Sequence, residues 1–428
     1  MGKTVYILTN FSTYLKSFSP IIVVSEQLKM LTRSGYSPVL IVSEGWEPPE
    51  DSIYSKVDTK FLFNAASHSP EDRPDHIEET VELLYQQLSE TLPEECSVIT
   101  HDLIFLPDYT VLNLAARKLA KERPKTRWLH WVHSATGPGT LAKERGMYGD
   151  HYSDTLSEKF PNSLLCYPNS QDIPRVARNF NFEEFEVIEV PHSTDPTEGL
   201  HPIVQRLYDQ KLKDAEVIII YPIRFDRGKS PHQHVHVIKA LKEVETSAHV
   251  VFCDFQSTGG DKMVYKQEIR ELAEKLGVGS DITFLSEFDD ACQLEVSHDV
   301  ILDLFTLSNV FLLPSRSETY SLITQEAMLK GNLCLLNYDF PAFRQIYGKN
   351  ALYRQFDGAE VGMDGFDGKI DTSHSNPDDY YLNRFALPIK AWIENDIVLR
   401  AKTWVRTKRN PDYVFKTYIQ PLLGDRDA

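Results

Sequence analysis

VFLLPSRSETYSLITQEAMLKG, residues 310–331, opens with four apolar residues, breaks at Pro314, and resumes apolar residues at helical spacing up to Gly331. A short strand, a tight polar loop and a glycine-ended helix form the unit that builds parallel sheets covered by helices. The same alternation continues in both directions. Around this stretch, Val217–Tyr221, His249–Cys253, Ile282–Phe284, Val310–Leu313 and Leu333–Asn337 read as strands with amphipathic segments between them. Earlier in the chain, Val5–Thr9, Val39–Val42, Ser97–Thr100, Trp128–Val132, Leu164–Tyr167 and Phe185–Val190 repeat the pattern. A helix opened by Pro20 places Ile21, Val24, Leu28 and Leu31 on one face and stops at Gly35.

The expected class is therefore α/β, and 428 residues are too many for one ordinary core. The spacing predicts two Rossmann-like domains, 1–197 and 198–394, followed by a helical segment, 395–428, that packs back on the first domain. Residues 357–379, rich in Gly, Asp and Ser, read as a surface excursion with no assigned role. Several first-domain strands run straight into polar residues: His101-Asp102, His133-Ser134, Asn169-Ser170 and His192-Ser193. The carboxyl ends of strands line the ligand crevice in such sheets, so these endings point to one cleft.

Net charge is 45 − 62 = −17, which argues against nucleic-acid binding over the whole surface. Two basic stretches, 117–127 and 400–416, read as solvated helix faces, with docking of an anionic acceptor or a membrane surface as the alternative. The start is charged and only briefly apolar, and no run is long enough to span a bilayer, so a cytoplasmic protein is expected. Cys96, Cys166, Cys253, Cys292 and Cys334 are scattered and odd in number, which supports neither a disulfide framework nor a zinc knuckle. His232 and His236 lie one helical turn apart without a completing ligand, and the acidic pairs Asp289-Asp290 and Asp378-Asp379 read as turn residues. No metal site is expected.

The amides around Thr319, Tyr320, Ser321 and Leu322 sit at the start of a helix, where they lack internal partners and suit an oxygen-rich group. Glu318 precedes them, and Glu326 lies about two turns along the same helix. Ionised carboxylates accept and do not donate, so they match hydroxyls rather than phosphates. In YPIRFDRGKSP, residues 221–231, Arg224 and Lys229 follow a strand and can hold a diphosphate as leaving group. A phosphate flanked by hydroxyl-bearing rings uses all of these features, and a nucleotide sugar has that layout.

Together these residues resemble the retaining, nucleotide-sugar-dependent glycosyltransferases of the GT-B fold, in particular the large family-four group, the glycosyl transferases group 1. The resemblance rests on Arg224 and Lys229 five positions apart, on Glu318 and Glu326 eight apart, on AMLKGNLCLLNYDFPAFRQI after them, and on VIEVPHSTDP and LHWVHSATG in the first domain. It extends from residue 3 to about 355. It implies two Rossmann-like domains facing across a cleft, with a C-terminal helix crossing back to the first. It also implies that Arg224 and Lys229 bind the donor diphosphate and that Glu326 holds the ribose. Glu318 with Thr319, Tyr320 and Ser321 would grip the transferred sugar, which His133 would contact from the opposite domain.

The implied reaction is metal-independent transfer with retention, from a UDP- or GDP-type donor to an unknown acceptor hydroxyl. That acceptor is a glycan, a lipid, a small molecule or a hydroxylated DNA base. No cofactor beyond the donor and no obligate protein partner are implied. The chain departs from the family pattern in lacking glycines in NFSTYLKSFSP, residues 10–20, and in carrying Thr319 where glycine is common. The missing glycines in the first loop motivate the alternative of an inactive GT-B binding or scaffold protein; a further alternative keeps the fold and changes the reaction, to that of a phosphorylase or epimerase.

Overall fold

The structure is a computed structural model that describes residues 3–66, 75–146, 149–255, 261–315, 318, 320–356 and 377–424. It divides into two compact units, Met1–Ser193 with Pro411–Ala428, and Thr194–Asn410.

The first unit is built on a parallel sheet of β1 (Thr4–Leu8), β2 (Ser37–Ser43), β3 (Asp58–Leu62), β4 (Ser97–His101), β5 (Arg127–Trp131), β6 (Ser163–Tyr167) and β7 (Val187–Glu189). Their order is β3-β2-β1-β4-β5-β6-β7. Helices Ser19–Arg33, Ile77–Thr91 and Thr110–Glu122 bury apolar stripes against it. Strands covered on both faces read as near-continuous apolar runs, which is why the central ones are the plainest in the sequence. The last strand is shorter than expected, because Glu184–Glu186 forms a 3-10 turn held by a capping box between Glu183 and Glu186. Val414, Phe415, Ile419 and Leu422 join the core that holds Val24 and Leu28, and Tyr36 meets Phe415 edge-on at 5.7 Å.

The second unit carries β8 (Val217–Pro222), β9 (Ala248–Cys253), β10 (Ile282–Phe284), β11 (Val310–Leu313), β12 (Leu333–Asn337) and β13 (Leu352–Arg354), in the order β10-β9-β8-β11-β12-β13. All neighbours are parallel, with Val310 opposite Ile219 on β8 and Leu333 on β12. β8 and β11 are buried along almost their whole length, and helices His232–Glu243 and His298–Leu307 cover the sheet. In each sheet the strand order reverses once, between β1 and β4 and between β8 and β11. At such reversals adjacent loops diverge and leave a crevice at the carboxyl edge.

The helical tail divides at Asn410. Helix Ile397–Lys408 stays with the second unit, where Thr403 accepts a 2.9 Å bond from Asn309. Among the described residues no helix is long and apolar enough to cross a membrane, and all five cysteines are free thiols. The excursion at 357–379 lies outside the described residues up to 376; Asp379 falls in the helix Pro377–Tyr381, not in a turn.

Candidate active site

Adjacent parallel strands β8 and β11 end side by side, and their loops supply the opposite charges expected from the sequence. Lys229 closes a 3-10 turn, Arg227–Lys229, and its carbonyl accepts a 2.7 Å bond from the hydroxyl of buried Tyr221 on β8. Its ammonium forms an ion pair with Glu318 from the β11 loop. Arg224, in the same loop as Lys229, is exposed, and its guanidinium makes no hydrogen bond or ion pair with a described residue. The third cation of the loop, Arg227, is held by both oxygens of Glu268 at 2.8 Å and lies over the Tyr265 ring. That leaves Arg224 and Lys229 as the cations available to a diphosphate.

Helix Leu322–Leu329 starts three residues later than the sequence suggests, because Ser321 takes the left-handed conformation, φ +65°. The Tyr347 hydroxyl donates to the carbonyls of Tyr320 and Ser321, at 2.7 and 2.8 Å, which fixes the loop from below. The first amides of that helix have no partner inside it. Leu322 is exposed, as is Tyr320, and Thr319 lies outside the described residues. Glu326 is half-buried, and its Oε1 lies 2.9 Å from His298 Nε2. His298, at the start of the helix His298–Leu307, is a neighbour that spacing alone did not single out.

In the first unit the polar strand endings converge, with one exception. His101, His133 and His192 stack as nearly parallel rings with centroids 5.6 and 5.4 Å apart. His101 Nδ1 lies 3.3 Å from His133 Nε2, and His101 Nε2 lies 3.0 Å from the Gln27 amide oxygen. The His133 backbone N–H donates to Asp102 Oδ1 at 2.9 Å. Burial pushes His133 down to about 4 and holds His101 well below the usual histidine range, so these rings are neutral near pH 7. Burial also pushes Asp102 up to about 6, against the hydrogen bond from His133. Asn169 is the exception: it caps the turn Ser170–Asp172 by accepting from Asp172 N at 3.1 Å.

The basic stretches are consumed in part inside their own units. Arg117 is buried and donates to the carbonyls of Glu158 and Lys159 at 2.8 and 3.2 Å, Arg123 reaches Ser89 and Leu92, and Lys118 pairs with Glu82. Arg406 is buried against the carbonyls of Ala215 and Glu216, and Lys402 donates to Ser308 and Lys330. Burial lowers Lys402 to about 8 and Arg406 to about 10. These stretches are thus only in part the solvated faces expected: Lys121, Lys125, Arg127, Arg400, Lys408 and Lys416 are exposed, and Arg117, Arg123, Lys402 and Arg406 are tied to carbonyls. His232 and His236 are likewise packed, against the Tyr265 hydroxyl at 3.0 Å and the Tyr381 ring at 4.7 Å. Asp289 caps its turn through Ala291 N and pairs with Arg206.

Residues 207–351 match the family model for glycosyl transferases group 1. A comparison with curated protein sequences finds no match. Solved structures similar to this chain include a glycosyltransferase from Rickettsia africae, with 13% identity, full coverage of both chains and a TM-score of 0.37. A trehalose-6-phosphate protein from E. coli bound with UDP-2-fluoro glucose shows 13% identity over 98% of this chain and 99% of that one, TM-score 0.36. Sucrose-phosphate synthase from Thermosynechococcus elongatus shows 15% identity over 98% and 96%, TM-score 0.33. The family match spans Arg224, Lys229, Glu318 and Glu326, so over residues 207–351 the chain is similar to the glycosyl transferases group 1.

Proposed function

We propose that this protein transfers a sugar from a nucleoside diphosphate sugar of the UDP or GDP type to an acceptor hydroxyl, with retention of configuration and without a metal ion. The observation that carries the reading is the convergence of Lys229 and Glu318 at the edge where β8 and β11 part. Arg224 and Lys229 hold the diphosphate and stabilise it as it leaves, which supplies the positive charge a metal would otherwise provide. Glu326 accepts hydrogen bonds from the ribose hydroxyls. Glu318 and the amides from Thr319 to Leu322 grip the transferred sugar, and His133 contacts it. Catalysis on this reading is positioning plus charge stabilisation, with no protein nucleophile required. Free thiols suit a reducing compartment, and we place the enzyme in the cytoplasm.

The test is direct. Purified protein is screened by thermal shift against a panel of nucleotide sugars, and sugar transfer is then measured with the donor that stabilises it most. Unchanged transfer in both Lys229→Ala and Glu326→Ala overturns the assignment.

One observation favours a second reading, a binding protein without turnover. The glycine-free loop after β1 is filled by its own side chains, with Phe11 stacked on Trp46 at 5.4 Å and Tyr14 against Trp46 at 5.8 Å. Nucleotide-sugar binding by calorimetry without transfer to any acceptor tested would support it.

A further inference from the structure

We propose that Gln27 and His101 are positioning residues that lock His133 in its Nε2–H tautomer and leave its Nδ1 lone pair free to accept a hydroxyl of the transferred sugar. The proposal rests on the reading that His133 contacts that sugar.

The amide oxygen of Gln27 accepts and does not donate, and it faces His101 Nε2 at 3.0 Å. His101 Nε2 therefore carries the proton. Gln27 is 3% exposed and His101 2%, so water does not complete their bonding and the pattern has to close among protein groups. In a neutral ring with Nε2 protonated, Nδ1 is a bare lone pair. That lone pair lies 3.3 Å from His133 Nε2, and the contact is a hydrogen bond only where His133 donates. His133 Nε2 is then protonated and its Nδ1 is bare. Each step follows from the previous one, so an amide on helix Ser19–Arg33 sets the character of a nitrogen two rings away.

Three further contacts hold the geometry. The His101 ring is stacked between Trp131, at 6.0 Å, and His133, which is itself backed by His192. Asp102 fixes the backbone of His133 through its N–H, and does so with the carboxylate rather than the ring, so the ring's hydrogen bonding is left to His101. Burial keeps both His101 and His133 neutral, as the relay requires. A sugar presents hydroxyls, which donate well to a neutral imidazole nitrogen. An Nδ1–H would instead reverse the bond and make the hydroxyl the acceptor.

The experiment is a two-bond proton–nitrogen spectrum of the protein with ¹⁵N-labelled histidine at pH 7.5, with the His133 signals identified by their loss in His133→Gln. The expected result is Nε2 protonated and Nδ1 bare in wild type and in Gln27→Glu, which keeps an acceptor oxygen. In Gln27→Met the lock is lost: His133 becomes a mixture of tautomers, and KM for the sugar donor rises about two- to tenfold, the loss of one neutral hydrogen bond. An Nδ1–H signal for His133 in wild type, or an unchanged spectrum in Gln27→Met, overturns the relay. A correct tautomer together with unchanged affinity of His133→Gln for UDP-glucose and GDP-mannose overturns the sugar contact instead, so the two failures are told apart.

Discussion

Lys229 and Glu318 join the loops of two neighbouring strands through a single ion pair, with side chains 29% and 20% exposed. A pair so close to solvent contributes less than about 1 kcal/mol to stability. Its value is therefore positional: each charge keeps the other in the crevice, and under the proposed function a diphosphate would compete with Glu318 for the same ammonium.

That competition gives opposite signs for two substitutions. Lys229→Ala is expected to lower turnover about 100- to 1000-fold by removing the charge that stabilises the leaving diphosphate. Glu318→Gln frees Lys229 and is expected to tighten binding of the bare nucleoside diphosphate while lowering sugar transfer. Neither shifts Tm by more than about 4 °C. Calorimetry with UDP and GDP, beside a transfer assay, reads both effects; weaker binding of the bare diphosphate to Glu318→Gln would contradict the competition.

The contact of Glu326 with His298 makes a second pair of opposed expectations. Glu326→Ala removes a charged acceptor and is expected to weaken donor binding about ten- to a hundredfold. His298→Ala removes only the competitor for that acceptor, so donor affinity stays level or rises by less than about tenfold. Titration of both variants with the donor found by thermal shift checks this. Equal weakening in the two would make His298 a ligand contact in its own right.

The central strands and the charges at their ends were legible because both leave local marks: unbroken apolar runs such as Val217–Tyr221, and polar residues directly after them. β3 and β13 were not. Each lies at the edge of its sheet, and the sequence of β3, DTKFL, is exposed at most positions, so it lacks the two-sided apolar signature. Basic stretches were read only in part for a related reason, since charge counts do not tell whether Arg117 or Arg406 turns outward or ties a carbonyl. Gln27 was invisible as a site residue. It sits among Ile21, Val24, Leu28 and Leu31 on the buried side of its helix, and only the sheet brings it to His101, 74 positions later.

Asp102 gives a pH prediction whose sign follows from its raised value. Its folded pKa of about 6 lies above the ordinary carboxylate value, so its contribution is fully present below about pH 4 and is lost as pH rises through 6. Above pH 7 the buried charge costs about 3 kcal/mol, taking about two pH units at 1.36 kcal/mol each. Asp102→Asn keeps an oxygen for the His133 N–H and cannot ionise. It is expected to be more stable than wild type at pH 7.5, with the gap closing as pH falls from 6 toward 4. The lowered histidines act the other way, losing stability as pH falls from about 6.5 through about 4, but both proteins share them. Urea denaturation of the pair at several pH values isolates Asp102, and a gap that does not depend on pH would contradict its assignment as a buried, penalised carboxylate.

At the carboxyl edge of β9 and β10, Lys266 is almost wholly buried and bonds Asp254 Oδ2 at 2.7 Å, Ser286 Oγ at 2.8 Å and Glu287 at 2.8 Å. Asp254 is fully buried and also accepts from the Ser286 N–H and hydroxyl, at 3.0 and 2.7 Å. Removing only the cation strands the carboxylate, so Lys266→Met is expected to cost about 3–5 kcal/mol. Asp254→Asn in the Lys266→Met background removes the stranded charge and retains an acceptor for Ser286, so most of that loss should return. Denaturant unfolding of the single and double variants measures the coupling directly. A double variant no more stable than the single would mean that Lys266 acts by filling space beside Phe284, over whose ring its ammonium lies at 4.9 Å, and not by neutralising Asp254.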